Sequence, residues 1–312
     1  MVELDYGLWL SPWVLGIFGL CIGSFLNVVI YRLPVMLDRA WHHDACVMLV
    51  APEDLTRVSG IPKAEADKFA KAVDDYGTKI EALPPLNLVT PPSRCPHCGH
   101  KLRWHENLPV VGWLRLGGKC AECKAPVSKR YPIIEAVTGI AFAALSWRFG
   151  AQPTTLLWCG FVAALIALAM IDLDTQFLPD DINLPLLWAG LLASVMGWTV
   201  SLDKAVIGAV AGYVSLWSVY WVYKIVRKRE GMGYGDFKLL AALGAWLGWP
   251  MLLPIILLSS AVGAVVGLFM ILFRGHGREV PIPFGPYLVG GGLVALYVGH
   301  DKLQALLGIY LG

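Results

Sequence analysis

The sequence predicts an all-α membrane protein with about eight transmembrane helices and one small cytoplasmic domain inserted after the first helix. Of its 312 residues, 57% are hydrophobic and only 15% are charged, whereas soluble domains are about 25% charged. The polar residues are concentrated in 34–131, which contain 14 of the 25 Lys and Arg and 11 of the 23 Asp and Glu. The net charge of +2 is too small to indicate a nucleic-acid partner.

Eight apolar segments are long enough, or nearly long enough, to cross a lipid bilayer. The hydrocarbon core is about 30 Å thick and requires about 20 apolar residues per helix. The segments are 9–31, 132–149, 154–171, 183–200, 204–226, 237–249, 251–273 and 284–300. The sixth segment is short, which indicates a broken or tilted helix.

These segments divide the chain into three parts. We predict a first transmembrane helix in 1–33, a cytoplasmic domain in 34–131 and a membrane domain in 132–312. Within the cytoplasmic domain, 53–82 are rich in charge and predict a surface helix, which we interpret as an insertion.

The distribution of Lys and Arg near the segment ends predicts the orientation. Cytoplasmic loops carry an excess of these residues. The face reached after the odd-numbered segments carries Arg32, Arg39, Lys124, Lys129, Arg130, Lys224, Arg227, Lys228, Arg229, Arg274 and Arg278, and the opposite face carries Arg148, Lys204 and Lys302. We therefore expect the N-terminus outside and the polar domain in the cytoplasm.

Four of the seven cysteines form two closely spaced pairs in the cytoplasmic domain. Cys95 and Cys98 form one C-x-x-C pair, Cys120 and Cys123 form the other, and 21 residues separate the pairs. Two such pairs can present four thiolates to one tetrahedral zinc ion. Two disulfides or a redox pair are the alternatives, but a reducing cytoplasm disfavours structural disulfides. We therefore predict that the domain binds zinc.

Two aspartates lie at the predicted cytoplasmic ends of apolar segments. Asp172 directly continues the apolar run 161–171, and Asp236 directly precedes the run 237–249. A carboxylate at the edge of a membrane helix is costly and therefore indicates a functional site. We predict that Asp172 and Asp236 form one catalytic pair, in which one activates a water molecule and the other donates a proton to a substrate carbonyl.

Three neighbours of Asp236 are predicted to support it. Gly233 and Gly235 belong to an alternating glycine turn, and glycine permits the close approach of another chain, such as an extended peptide. Lys238 lies two residues after Asp236 and could bias its ionisation, although a lysine at this depth can equally reach towards the interface.

Several stretches distributed over residues 19–290 together carry a family resemblance. They are Gly19–Pro34, Ser93–Cys98, Glu106–Pro109, Gly117–Cys120, Arg130–Glu135, Asp172 with Leu178–Asp180, Gly233–Asp236 and Pro283–Pro286. In this order they resemble the type IV prepilin peptidases, which are membrane aspartyl proteases of the GxGD class. Residues 38–90 are long for the family's first loop.

The resemblance implies a bifunctional enzyme of the bacterial inner membrane. Such enzymes cut the basic leader from prepilins or pseudopilins on the cytoplasmic side, and they N-methylate the new terminal residue with S-adenosylmethionine. On this basis Asp172 and Asp236 are the catalytic residues. Gly118, Glu106 and Asn107 are the positions that we associate with S-adenosylmethionine. In the acidic loop 171–182, Asp174, Asp180 and Asp181 could attract the basic leader, and we expect Asp180 or Asp181 to be the N-cap of the next helix.

Two other functions remain open from the sequence. A protease of the presenilin or signal-peptide-peptidase type would also have two boundary aspartates and a GxGD motif, but it would lack the four cysteines. A transporter or membrane scaffold with a zinc ribbon could use aspartates for ion coupling, but it would place them near the middle of the membrane.

Overall fold

The computed structural model describes residues 6–229, 231–274, 282–299, 302, 303 and 305. The helices are α1 (Tyr6–Trp9), α2 (Pro12–Leu49), α3 (Pro52–Ser59), α4 (Lys63–Glu81), α5 (Val111–Arg115), α6 (Arg130–Phe149), α7 (Pro153–Thr175), α8 (Asp180–Val195), α9 (Leu202–Arg227), α10 (Tyr234–Leu247), α11 (Leu252–Arg274) and α12 (Gly285–Val298). Arg278, which contributed to the predicted orientation, and His300, at the end of the last predicted segment, lie outside the described residues.

Helices dominate the part of the chain that the structure describes. The β pairing found there consists of two isolated bridges, Arg94 with Lys101 and Lys119 with Pro126. The predicted all-α membrane class is therefore confirmed.

Within the described residues, five helices are long and apolar enough to cross a membrane. They are α2, α6, α7, α9 and the segment Trp249–Phe273, which contains most of α11. The other three predicted segments contain shorter helices, of 16 residues in α8 and 14 residues each in α10 and α12. A 14-residue helix spans about 21 Å, which is less than the thickness of the hydrocarbon core.

Helix α10 is short but lies in the centre of the membrane domain. Nearly every residue from Asp236 to Trp246 is buried, so protein rather than lipid surrounds this helix. Glycines allow the close packing: a Cβ on Gly244 would collide with the backbone of Gly208 in α9. Small residues at such contacts are typical of packed membrane helices.

Helix α2 extends well beyond the predicted first span. Its 38 residues continue past Pro34 to Leu49 and measure about 57 Å. The division predicted at residues 33 and 34 therefore falls inside a continuous helix. The domain division itself stays a prediction.

The predicted insertion forms two helices rather than the single surface helix expected from the sequence. Helix α4 packs against the distal part of α2 and buries Ala66 and Ala70. At this contact a Cβ on Gly77 would lie 3.3 Å from the Cβ of Cys46. The charged residues on the opposite side of α4 conceal this apolar stripe in a composition analysis.

Candidate active site

Asp172 lies in the last turn of α7 and is buried, with 5% of its surface exposed. Its Oδ2 accepts a hydrogen bond of 2.9 Å from the backbone N–H of Gly285, the first residue of α12. The N-terminus of a helix favours a negative charge because its first N–H groups have no partner within the helix. Helix α12 is therefore well placed to hold the Asp172 carboxylate.

Asp236 is the third residue of α10 and is 7% exposed. The backbone N–H of Gly233, the N-cap of this helix, lies near its carboxylate. The Oδ1 atom of Asp236 is buried and has no hydrogen-bond partner among the described residues. Because an unpaired buried acceptor is costly, such an atom is a mark of a functional site.

An aromatic contact sets Asp172 and Asp236 at the same depth. The rings of Phe161 in α7 and Trp246 in α10 have centroids 4.7 Å apart. Asp172 lies eleven positions after Phe161, and Asp236 lies ten positions before Trp246. These intervals correspond to about 16.5 Å and 15 Å along the two helices. The carboxylates are close enough for the charge of Asp172 to act on Asp236.

Leu178 and two glycines enclose the pair. A Cβ on Gly235 would lie 2.7 Å from the Cβ of Leu178. A Cβ on Gly285 would lie 2.6 Å from Oδ2 of Asp172 and 3.3 Å from Cδ1 of Leu178. Neither position therefore has room for a side chain.

The two glycines predicted to support Asp236 differ in what the structure requires of them. Gly235 must lack a side chain because Leu178 packs directly against it. A Cβ on Gly233 would meet no atom closer than 4.0 Å, and its backbone is extended, with φ −81°. The backbone N–H of Gly233 lies near the Asp236 carboxylate.

Two ion pairs lie beside the aspartates. Lys238 Nζ lies 2.7 Å from both carboxylate oxygens of Asp180. Arg130 makes a bidentate pair with Asp174, with both N–O distances 2.6 Å. A role for Lys238 in the ionisation of Asp236 stays a prediction, because the contact observed for its ammonium group is with Asp180.

The predicted N-cap of α8 is wrong by one or two residues. The N-cap is Pro179, and Asp180 and Asp181 occupy the first helical turn. Acidic residues in a first turn still interact favourably with the helix dipole.

The four predicted metal ligands come together in one cluster. The sulfur atoms of Cys95, Cys98, Cys120 and Cys123 lie within 4.8 Å of one another. The Cys95–Cys123 and Cys98–Cys120 sulfur distances are 3.8 Å and 3.9 Å. A tetrahedral zinc ion with Zn–S bonds of about 2.3 Å requires sulfur atoms about 3.8 Å apart. The cluster therefore fits zinc.

Each C-x-x-C pair is folded as a tight turn closed by backbone hydrogen bonds. Cys95 N donates to His100 O at 2.9 Å, and Cys120 N donates to Ala125 O at 2.8 Å. The N–H groups of Cys98 and His97 lower the pKa of the Cys95 thiol to about 7, whereas burial and the neighbouring sulfur atoms raise the pKa of the Cys123 thiol to about 11. A stabilised thiolate is the form that binds a metal ion.

Comparison with known proteins places this geometry in a family. The model of the type IV leader peptidase family matches residues 159–268, and that of the bacterial peptidase A24 N-terminal domain matches residues 17–149. A prepilin leader peptidase/N-methyltransferase of Aeromonas hydrophila is 47% identical over 302 residues, which cover 96% of each chain. The chain belongs to the type IV leader peptidase family. The predicted resemblance is confirmed.

Other members of the family are similarly close. Proteins with the same name from Pseudomonas aeruginosa and Burkholderia pseudomallei are 47% and 45% identical. The matches cover 93% and 91% of this chain and 91% and 84% of the relatives. No solved structure was found to match the chain.

The part of the chain matched by the N-terminal domain model includes the three residues that we associate with S-adenosylmethionine. The Glu106 side chain is only 6% exposed, and its Oε2 lies 2.9 Å from both the Arg103 N–H and Nε2 of His100. The Arg103 N–H, followed by His100, lowers the pKa of the Glu106 carboxyl. Asn107 is exposed.

Gly118 has a structural reason to be glycine. Its φ is +70°, and a Cβ would lie 2.7 Å from the Trp113 ring. The Trp113 indole N–H in turn donates to Val127 O at 3.1 Å. Asn107 is therefore the one of the three residues whose side chain is exposed to solvent. The assignment of all three residues to the cofactor stays a prediction.

Sequence reasoning missed the roles of Gly285 and Leu178. Gly285 lies in the Pro283–Pro286 stretch that contributed to the family resemblance, but no charged or metal-binding residue there indicates a site. Leu178 was assigned to an acidic loop, where its burial could not be seen. The hydrogen bond of Gly285 to Asp172 and the packing of Leu178 against Gly235 and Gly285 depend on how α7, α10 and α12 pack together.

Proposed function

We propose that this protein removes the basic leader peptide of type IV prepilins or pseudopilins and then N-methylates the new N-terminal residue. Membership of the type IV leader peptidase family and the names of its relatives support this function. The observation that carries the proposal is the buried pair Asp172 and Asp236, held at one depth at the ends of two helices.

The two aspartates would act as a coupled acid and base. The ionised carboxylate takes a proton from a water molecule, whose oxygen attacks the scissile carbonyl. The protonated carboxyl donates its proton to the carbonyl oxygen, and a tetrahedral intermediate forms. Collapse of this intermediate breaks the C–N bond, and the leaving amine takes up a proton. The unpaired Oδ1 of Asp236 is the atom that we assign to contact with water or substrate.

The membrane position of the pair fits a prepilin substrate. A basic leader would remain on the cytoplasmic side while the apolar segment of the substrate lies in the bilayer, so the scissile bond falls at the interface. The excess of Lys and Arg on one face supports placing Asp172 and Asp236 at the cytoplasmic face of the bacterial inner membrane.

The acidic loop should attract a basic leader more weakly than its sequence indicates, because two of its aspartates already form ion pairs. Asp174 and Asp180 are paired with Arg130 and Lys238, respectively. Asp181 is exposed in the first turn of α8 and is the residue that we expect to meet a basic leader. Such an exposed attraction is weakened by salt.

The four cysteines would hold a structural zinc ion. A site closed by four thiolates leaves no open position for water or substrate, so we do not assign the metal to proteolysis. Zinc binding would instead supply folding free energy to a block that contains only one helix, α5, between residues 95 and 123.

Methyl transfer would follow cleavage. S-adenosylmethionine would supply the methyl group for the freed amine at the new N-terminus, with S-adenosylhomocysteine released as its C–S bond breaks and the amine proton passing to solvent. We place the cofactor beside the four-cysteine block, with the exposed Asn107 as the first residue to test. Glu106 and Gly118 would support this region through their contacts with His100 and Trp113.

The two alternative functions explain fewer observations. A presenilin-like or signal-peptide-peptidase-like protease would not require the four-cysteine cluster. A transporter with aspartates for ion coupling would place them away from the ends of the helices, whereas Asp172 and Asp236 lie in the last and first turns of α7 and α10.

Mass spectrometry of a prepilin peptide tests both activities. The purified protein in detergent should shorten the full-length peptide by its leader without S-adenosylmethionine. Addition of S-adenosylmethionine should increase the mass of the mature product by one methyl group. Absence of cleavage would contradict the peptidase proposal. A pre-cleaved peptide that is never methylated would contradict the second activity alone.

A further inference from the structure

Glu135 is a buried carboxylate that the proposed peptidase mechanism does not use. It lies in the second turn of α6, a helix long and apolar enough to span the membrane, and it is 8% exposed. A buried carboxylate needs hydrogen-bond donors to offset its desolvation, and one in a membrane helix is a functional candidate by default. Its donors therefore indicate its role.

The first donor is the backbone of the cytoplasmic domain. Val110 N–H donates to Oε2 of Glu135 at 2.7 Å, which is a short, charge-assisted hydrogen bond. Val110 has φ 59° and ψ −50°, although a β-branched residue strongly disfavours positive φ. Such a conformation persists only when the surrounding structure holds it, and the bond to Glu135 provides that restraint.

The second contact comes from the first membrane helix. The Ser24 hydroxyl in α2 lies beside the Glu135 carboxylate. The two helices are in close contact here, because a Cβ on Gly23 would lie 2.6 Å from the Glu135 Cα. Glu135 thus connects α2 and α6 to the segment that leads into α5.

Helix α5 is in turn packed between the residues associated with S-adenosylmethionine. Gly112 lies against the backbone of Glu106, and Trp113 covers Gly118. The position of Val110, directly before α5, therefore determines where these residues lie relative to the membrane helices. A freed substrate amine would emerge at the membrane surface, so this relative position matters for methyl transfer.

We propose that Glu135 is a positioning residue for methyl transfer, which fixes Val110 and α5 against α2 and α6. This proposal rests on the proposed methyltransferase function. Glu135 acts through the backbone and is not assigned to contact with the substrate or cofactor. Without this carboxylate, the segment around Val110 should become mobile relative to α2 and α6. The contacts of Asp172 and Asp236 should stay intact.

Three variants of the full-length protein test this role. Glu135→Ala removes the acceptor, and Glu135→Gln keeps an oxygen that can accept the Val110 N–H. Thr138→Ala is the matched control, because Thr138 is fully buried one turn further along α6, and the hydrogen bond recorded for its hydroxyl is to Ile134 O. For each protein, hydrogen exchange is measured for the peptide that contains Val110, alongside cleavage of full-length prepilin peptide and methylation of a pre-cleaved peptide.

Glu135→Ala should increase exchange at Val110 and lower the kcat of methylation, each by about tenfold or more, as expected for loss of a charged hydrogen bond. Cleavage should stay within about twofold of the parent, and Glu135→Gln should keep exchange and methylation within about threefold. Unchanged exchange in Glu135→Ala, or equal losses in Thr138→Ala, would overturn the proposal. If the parent protein methylates nothing, the methyltransferase function fails, whereas the exchange measurement still tests the anchoring of Val110 by Glu135.

Discussion

The backbone N–H of Gly285 donates a hydrogen bond of 2.9 Å to Oδ2 of Asp172, which joins the start of α12 to the end of α7. The two residues are 113 positions apart in the sequence. A glycine is required at this point because a Cβ would lie 2.6 Å from the same carboxylate oxygen. The geometry of Asp172 therefore depends on a residue without a side chain.

Replacing Gly285 with Ala should displace the Asp172 carboxylate and lower cleavage. A shift of about 1 Å in a catalytic group can reduce the rate by about 100-fold, so we expect a loss between about 10- and 100-fold in kcat for prepilin peptide. Gly290→Ala in the same helix is the matched control, since a Cβ there meets no atom within 4 Å. Equal activity of the two variants would show that the contact with Gly285 is unimportant.

Removing the charge of either Asp172 or Asp236 should abolish cleavage. Asp172→Asn and Asp236→Asn keep the size of the side chain but remove general acid–base chemistry, which contributes about 100-fold or more to a rate. Asp203→Asn is the control, because Asp203 is an exposed aspartate in the first turn of α9. Cleavage is measured after confirming that each variant is inserted in the membrane. Near-normal cleavage by either active-site variant would refute the assignment.

Methylation should survive the loss of Asp172. Incubation of Asp172→Asn with a pre-cleaved peptide and labelled S-adenosylmethionine should give methylated product at about the parent rate, because Glu135 holds the segment before α5 through contacts outside the aspartate pair. Failure of this variant to methylate, in a preparation whose parent does so, would mean that the two activities share a site.

The four cysteines should bind one zinc ion per chain. Metal analysis of the purified protein should find this stoichiometry, and X-ray absorption should find four sulfur ligands at about 2.3 Å. Cys98→Ser should lower the zinc content and make the block containing Cys120 sensitive to protease, because metal binding is coupled to folding. Cys21→Ser, at a cysteine in α2 outside the cluster, should keep the zinc. A parent protein without zinc would contradict the prediction.

The parts of the site that could be predicted from the sequence are formed by residues that lie close together in the chain. Each C-x-x-C pair lies within four residues, and Asp236 directly follows its glycine turn, so these patterns are visible without a structure. The Lys238–Asp180 pair joins residues 58 positions apart and depends on the packing of α10 against α8. Sequence proximity had indicated Asp236 as the neighbour of Lys238.

The length of α2 was missed for a different physical reason. Hydropathy indicates where a helix leaves the membrane and not where it ends, and α2 continues through polar residues such as Arg39 to Leu49. The Arg39 guanidinium there donates to Pro84 O at 3.0 Å. A composition analysis therefore predicts a loop where the structure has a helix supported by later contacts.

The extended part of α2 lies mostly within residues 38–90, and it contacts the segment beside the aspartate pair. The ring of Trp41 meets that of Phe177 edge to face, with centroids 5.1 Å apart, and Phe177 directly precedes the buried Leu178 that encloses the aspartate pair. An aromatic pair of this kind contributes about 0.5–1.5 kcal/mol. Trp41→Ala should therefore lower kcat for cleavage by at most about tenfold, and Trp41→Phe should restore most of it. Trp147→Ala is the control and should leave cleavage unchanged, because Trp147 is 85% exposed and lies near the C-terminal end of α6. If Trp41→Ala cleaves at the parent rate, the extended part of α2 does not support the loop that carries Leu178.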